Sequence, residues 1–400
     1  MEKIVHLKIL IIGLRGLGIE IAKNLILMGP KQVSIYDKNI CSINDLSSNF
    51  YIEDNDISKN QRDIACLKKL SSLNPYVKVD ICKNDNLLEV LKNYSCIIIT
   101  EIKKLKYLFE IDKICRRNNV AFIYTGIFGL SGFLFNDFGD NHIIYNQNGL
   151  ENLSYDISHI TQKGKMFDVY LNLKDKKYIE LNDGDYVKFK QIKGLIELNH
   201  IEPIKIIIKD NNLFSFEKKI KTDSKYISGG IVEEVKIPKK KKFMSLEDKF
   251  YLHYYYEKPI ILYSKKKNEN KLLHIAIVSL HQYFEKYNKL PDLNNLSQVK
   301  EVVEFAKEFY NKILNNNNNN KWIKIKKKNK EINIPFDESY IIRVARWSKS
   351  EINPICTFLG GIVAQEAIKI TGKYEPIYQW LRFDFFETIE IFQIIAIEIY

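Results

Sequence analysis

Residues 8–37 constrain the fold of this chain more than any other stretch. Lys8–Ile12, KILII, is a continuous apolar run, the composition of a parallel strand buried on both faces. It leads straight into Gly13-Leu14-Arg15-Gly16-Leu17-Gly18 and then IEIAKNLILMG. Ile19, Ala22, Ile26 and Met28 share one helical face, and Gly29-Pro30 stops the helix. A second strand, Gln32–Tyr36, ends at Asp37. Strand, glycine turn, helix and strand in this order predict an α/β domain with a mostly parallel, Rossmann-like sheet. Further strands at Val77–Ile81, Cys96–Ile99 and Val120–Tyr124, with helical stretches between, extend the alternation.

The glycine turn departs from the dinucleotide fingerprint. The usual frame is GxGxxG with an acid about 20 residues on, the first Gly for the turn, the second for phosphate approach, the third for helix–strand packing. Here the frame reads Gly13-x-Arg15-x-x-Gly18, with Gly16 between and Asp37 in the acid position. The Arg15 side chain either obstructs the approach or itself binds an anion. Gly13, Arg15, Gly16, Gly18 and Asp37 are therefore the candidate cofactor-binding residues, of a degenerate nucleotide-like site whose expected role is structural. No catalytic residue and no metal ligand is assigned.

Beyond residue 150 the pattern changes twice. Short alternating runs, Asp185–Lys190 and Ile204–Ile208, are set off by turn signals such as Asn182-Asp183-Gly184-Asp185, which predicts a small β-rich module. After Pro238 the periodicity becomes helical. Leu273, Ala276, Ile277, Leu280, Phe284 and Tyr287 form one stripe; Val299, Val302, Val303, Ala306, Tyr310 and Ile313 form another. Asn315–Asn320 reads as a low-complexity loop. A helix over Phe358–Ile370 and a strand near Trp380–Phe383 return to the α/β pattern. The expected division is 1–150 and 348–389 for one α/β domain, interrupted by a β-rich 151–242 and a helical 243–347, with an apolar tail at 390–400.

Composition removes several classes. Six Cys in 400 residues form no CxxC pair, which argues against a disulfide scaffold and a zinc ribbon. No apolar run reaches about 18 residues, so no membrane span is expected. The N-terminal apolar stretch continues into the glycine motif and is not read as a signal peptide. The net charge of +12 invites a nucleic-acid reading. The abundance of Lys, Asn, Ile and Tyr fits A/T-rich codons, however. The basic runs Lys239–Lys242 and Lys324–Lys330 carry no RNA-binding aromatic motif. Neither nucleic acid nor membrane is expected as a partner.

Several long blocks carry a more specific signal than the glycine turn. GLRGLGIEIAKN (Gly13–Asn24), DLSSNFYIEDNDISKN (Asp45–Asn60), LNPYVKV (Leu73–Val79) and GIFGLSGFLFNDFGD (Gly126–Asp140) are four. LNDGDYVKFKQIKGLIELN (Leu181–Asn199), GGIVEEVKIPKK (Gly229–Lys240), LHQYFEKYNKLP (Leu280–Pro291) and FLGGIVAQEAIKITGKYEPIYQWLRFD (Phe358–Asp384) follow in order. Together they resemble the N-terminal half of the ubiquitin-activating enzymes, over residues 4 to 389. The resemblance implies an inactive ThiF-type adenylation domain, interrupted by the first catalytic-cysteine half-domain and a four-helix bundle.

It also implies what this chain lacks. The active half of that family carries an Arg that meets ATP phosphates, where this chain has Asp45-Leu46-Ser47-Ser48-Asn49-Phe50. Lys59 and Arg62 lie downstream without the rest of a cradle. Glu101, where the active half places a magnesium-binding Asp, reads as a solvated side chain. Adenylyl transfer needs several cations converging on developing charge, and that convergence is not found. Pro354-Ile355-Cys356-Thr357 resembles the family's catalytic-cysteine segment, but the helix block after it matches the inactive domain, so Cys356 is read as structural. The family's Tyr-x-Arg-Gln segment before the first strand has no counterpart here. The tail EIFQIIAIEIY is equally compatible with an added strand and with a truncated or misread gene end.

The expected function is the non-catalytic N-terminal half of a ubiquitin-activating enzyme, cytoplasmic and nuclear. ATP and magnesium are implied for the full-length enzyme and not for this chain alone. The implied partners are an active adenylation domain, on the same polypeptide or a separate subunit, and ubiquitin or a ubiquitin-like protein. A stand-alone subunit pairing with a separate active one is the alternative. An NAD(P)-dependent oxidoreductase is a remote third, disfavoured by Arg15.

Overall fold

A computed structural model describes residues 3–84, 86–174, 176–219, 224–251, 260–262, 269–315 and 335–386. Lys324–Lys330, the Asn run from 316 and the tail 390–400 lie outside the described residues. The chain divides into two compact units: Met1–His142 with Lys241–Thr371 and Pro376–Tyr400, and Ile143–Lys240 with Gly372–Glu375.

Among the described residues, the α-helices of the first unit are α1 (Gly16–Met28), α2 (Arg62–Ser71), α3 (Leu87–Val90), α4 (Leu105–Arg117), α5 (Leu246–Phe250), α6 (Glu269–Tyr287), α7 (Leu296–Asn315), α8 (Glu338–Arg346) and α9 (Asn353–Lys369). Its first strands are β1 (Lys8–Ile12), β2 (Gln32–Tyr36), β3 (Lys78–Ile81), β4 (Cys96–Ile99), β5 (Ala121–Phe128) and β6 (Ser131–Asp137). The chain continues through β7 (His142–Ile144), β8 (Ser154–Lys163), β9 (Met166–Asn172), β10 (Tyr186–Lys190), β11 (Ile204–Lys205), β12 (Ile207–Asp210), β13 (Leu213–Glu217), β14 (Ile231–Val235) and β15 (Lys239–Lys241). Two further strands are β16 (Ile260–Leu262) and β17 (Trp380–Asp384).

Eight strands form one sheet in the order β16-β17-β6-β5-β4-β1-β2-β3. Pairing is parallel from β5 through β4, β1 and β2 to β3, and antiparallel where β6 meets β5 and β17. The apolar run of β1 follows from burial on both faces. Ile9 and Ile11 join a core with α1 and α9, whereas Leu10 and Ile12 join one with α4, α6, α7 and α8. Strand order reverses at β1, between β2 and β4. The crevice at such a switch point is where open α/β sheets bind ligands, and the Gly13–Gly18 turn leaves β1 there.

Particulars of the expected helix faces differ. Ile19, Ala22 and Ile26 are buried, but Met28 is 38% exposed at the last position of α1. Helix α9 starts at Asn353, a turn earlier than expected, with Pro354 in its first turn. There a missing proline N–H costs no intrahelical bond. Among the described residues no helix is long and apolar enough to cross a membrane.

The second unit holds a separate antiparallel sheet, β11-β10-β14-β8-β9-β13-β12. In β9, Phe167, Val169 and Leu171 point into its core and the residues between point outward, as a half-buried strand requires. Phe167 and Phe216 stack there, with centroids 5.0 Å apart and planes within 7°. The run expected over Ile204–Ile208 is two short strands broken at the fully buried Ile206.

Candidate functional site

The turn after β1 is shaped by backbone approach. Gly13 has φ +96° and donates its N–H to Tyr36 O at 2.9 Å. A Cβ there would lie 2.5 Å from Glu101 Cγ. A Cβ on Gly18 would lie 1.9 Å from Gly13 O, so the last glycine performs the helix–strand packing read from the motif. Gly16 faces Ser48 and the Cys356 sulfur. The room that its missing side chain leaves is filled by protein.

Arg15 precedes α1 in extended conformation, and its side chain turns towards the segment before α9. Nη2 donates to Lys349 O at 2.8 Å, and Nη1 lies 3.5 Å from Glu351 Oε1. The other Glu351 oxygen, Oε2, accepts the backbone N–H of Leu17 at 2.9 Å. Leu17 is the second residue of α1, one of the first-turn positions that have no intrahelical acceptor. A nucleotide phosphate would seek that N–H and that positive helix end. A carboxylate from the far end of the chain already sits on it, with 9% of its side chain exposed.

Asp37 is 2% exposed. Its Oδ2 accepts the Leu14 N–H at 2.8 Å and faces Arg62 Nη1 at 3.3 Å. Its Oδ1 accepts the Asn39 N–H at 3.0 Å and Asn39 Nδ2 at 2.8 Å. Arg62 also donates from Nε to Asp45 Oδ2 at 3.0 Å. Burial works against the Arg62 charge, and Asp37 and Asp45 outweigh it, holding the guanidinium above its ordinary value. Arg62, read from sequence as a stray downstream charge, is a buried clamp between two carboxylates. Asn49, fully buried, adds an Nδ2 bond to Leu14 O at 2.9 Å.

Glu101 is not the solvated side chain expected. Its carboxylate is 15% exposed and lies 2.7 Å from Lys103 Nζ. Burial pushes its pKa up, and Asp37 adds to that; Lys103 opposes. Among the described residues no group of three or more His, Cys, Asp or Glu could hold a metal ion. Cys356 is fully buried, with Sγ 3.9 Å from Glu351 Oε2. Burial, then Glu351, pushes its thiol up, the reverse of what a nucleophile needs.

Above the turn lies a cleft of about 660 Å3, bordered by Arg15, Asn39, Arg62, Thr100, Lys103 and Glu351. Its size suits a small ligand, but its floor does not fit a nucleotide's phosphates: the helix N–H and the Arg15 guanidinium both serve Glu351. Glu351 and the Asp45–Arg62 pair are the parts that sequence reading missed. Neither lies in a motif, and each gains meaning only from a partner distant in the chain.

The sequence model of the ThiF family matches residues 1–397. The chain belongs to the ThiF family. That match runs past Ile389 into the apolar tail. Among curated relatives, this ThiF-family chain is 34% identical over 394 residues to ubiquitin-activating enzyme E1 1 of Candida albicans (strain WO-1), covering 97% of this chain and 36% of that protein. It is 31% identical over 395 residues to ubiquitin-like modifier-activating enzyme 1 of Homo sapiens, covering 97% and 35%. The chain thus spans about a third of the length of the curated relatives it matches, and the matched region is their N-terminal part. Among solved structures, E. coli MccB with SeMet MccA aligns with 17% identity and a TM-score of 0.32, over 38% of this chain and 46% of that one.

Proposed function

We propose that this chain is the non-catalytic N-terminal half of a ubiquitin-activating enzyme. Its inactive adenylation domain pairs with an active one, on the same polypeptide or on a separate subunit, and supports ATP-dependent adenylation of the ubiquitin C-terminus there. ATP and magnesium act in the active half; the substrate is ubiquitin or a ubiquitin-like protein. The setting is the cytoplasm and nucleus.

One observation carries the reading. Around the glycine turn, Arg15 is paired with Glu351, Arg62 with Asp37 and Asp45, and Lys103 with Glu101. Phosphoryl and adenylyl transfer draw on cations that are free to meet developing negative charge. Here these cations are neutralised by carboxylates of the same chain. The N-terminal register of the ubiquitin-activating relatives supports the same assignment.

The test is ATP–pyrophosphate exchange with ubiquitin. The pure chain should give no exchange above buffer, and adding an active half should restore it. Exchange by the pure chain would overturn the reading. An antibody against residues 151–242 separates the two arrangements. An endogenous band far heavier than the 47.1 kDa of this chain places the active half on the same polypeptide.

A further inference from the structure

We infer that Glu351 is the resident anion of the glycine turn: its carboxylate occupies the place of a phosphate at the start of α1, and removing it uncovers a site for a tetrahedral oxyanion. The inference deepens the reading of the turn as non-catalytic and rests on it.

The first argument is donor accounting. Intrahelical bonding of α1 starts with the Ile19 N–H, which reaches Arg15 O at 3.0 Å. The Leu17 N–H precedes that ladder, and the residue before the helix, Arg15, offers no side-chain cap. A buried amide in that position requires an acceptor. Glu351 Oε2 supplies it at 2.9 Å.

The second argument is charge. The start of a helix carries about half a positive charge, and the Arg15 guanidinium stands beside it. Glu351 answers both, one oxygen to each. An anion that meets an amide N–H and a guanidinium together uses the donor set that holds phosphates at glycine turns.

The third argument is construction. Glu351 is held in place by its backbone. The Gly129 N–H donates to Ser350 O at 2.9 Å, the Ser350 N–H donates to Trp347 O at 2.9 Å, and Lys349 O accepts Arg15 Nη2. The carboxylate therefore arrives on a fixed segment, beside a cleft of about 660 Å3 that Arg15 and Glu351 both line. The thiol of Cys356, 3.9 Å from Oε2, is kept protonated and adds no competing charge.

Glu351→Ala in the full 400-residue chain tests this, with inorganic phosphate as the probe at constant ionic strength against chloride. Wild type should show no saturable phosphate response. E351A should show saturable phosphate binding by calorimetric titration, at least about tenfold above the limit set by wild type, and its melting temperature should rise with phosphate in step. The gain should vanish in E351A/R15A. Glu351→Ser, whose short side chain also vacates the spot, carries the same expectation if the alanine variant does not fold. No gain in either variant, or a gain that survives loss of Arg15, overturns the inference. Pyrophosphate exchange by wild type would instead sink the proposed function, so the two failures are distinguishable.

Discussion

The hydroxyl of Tyr124 in β5 lies 2.8 Å from Nε2 of His281 in α6. Both side chains are fully buried, and their rings meet edge-on with centroids 5.8 Å apart. This is a polar tie between the sheet and the helices packed on it, and it has a pH signature.

Burial pushes His281 down to about 3 from its ordinary 6.5, and a backbone contact with Lys103 opposes this. A histidine whose folded pKa lies below its unfolded value stabilises fully above about 6.5, and loses that contribution as pH falls towards the folded value. Wild-type stability relative to His281→Gln should therefore drop by about 2 kcal/mol between pH 7.5 and pH 5. Urea unfolding of both proteins at the two pH values checks this. A difference that does not change with pH would mean that the imidazole is not held neutral in the fold.

Two glycines should respond in opposite directions. Gly18→Ala places a Cβ 1.9 Å from Gly13 O and should cost about 3 kcal/mol or more. Gly361→Ala, inside α9 with nothing within 4 Å of its Cβ, should stabilise by about 0.5–1 kcal/mol. Its neighbour Gly360 meets Glu20 Cβ at 2.9 Å, so the close α1–α9 approach depends on Gly360 and not on Gly361. Thermal melts of the three alanine variants decide it; a stable Gly18→Ala would sink the packing argument.

Cys356 should be inert in the native chain. Its thiol is buried and held protonated, so iodoacetamide at pH 8 should label it about 100-fold more slowly than in denaturant. Peptide mapping by mass spectrometry reads the ratio. Rapid native labelling would reopen a chemical role for the Pro354–Thr357 segment.

Lys236, in the second unit, holds the 146–151 loop. Its ammonium reaches Asn148 Oδ1 at 3.0 Å, Asn146 Oδ1 and Glu151 O at 3.4 Å, and Leu150 O. Lys236→Met removes these bonds while keeping the stem, and should cost about 1–2 kcal/mol. Limited proteolysis should then cut first within 146–151. An unchanged cleavage pattern would show that the loop does not depend on this contact.

The parts legible in the sequence were those set by local periodicity. KILII reads as a doubly buried strand because, from Ile9 on, successive residues meet alternate cores. Gly18 reads as a packing glycine because that need arises within six residues, against Gly13. Arg15 could be recognised as out of place, but obstruction and anion binding could not be separated without its partner. That partner, Glu351, lies in RWSKSEI, a polar stretch with no motif, and sequence spacing carries no information about a contact made through the fold. Arg62 reads as a stray charge for the same reason. Its two carboxylates, Asp37 and Asp45, sit in separate segments that converge only once β2 and the turn after it are placed.

The order of strands also sets a timetable for synthesis. β6 is flanked by β5, its neighbour in the chain, and by β17. The ribosome delivers Ser131–Asp137 long before Trp380–Asp384. Through that interval the nascent sheet ends at SGFLFND, with one row of backbone donors and acceptors unmatched and every residue of the strand destined for burial. Unfinished apolar edges of this kind recruit other chains. Residues 138–379 are therefore synthesised before that edge can meet the strand that covers it.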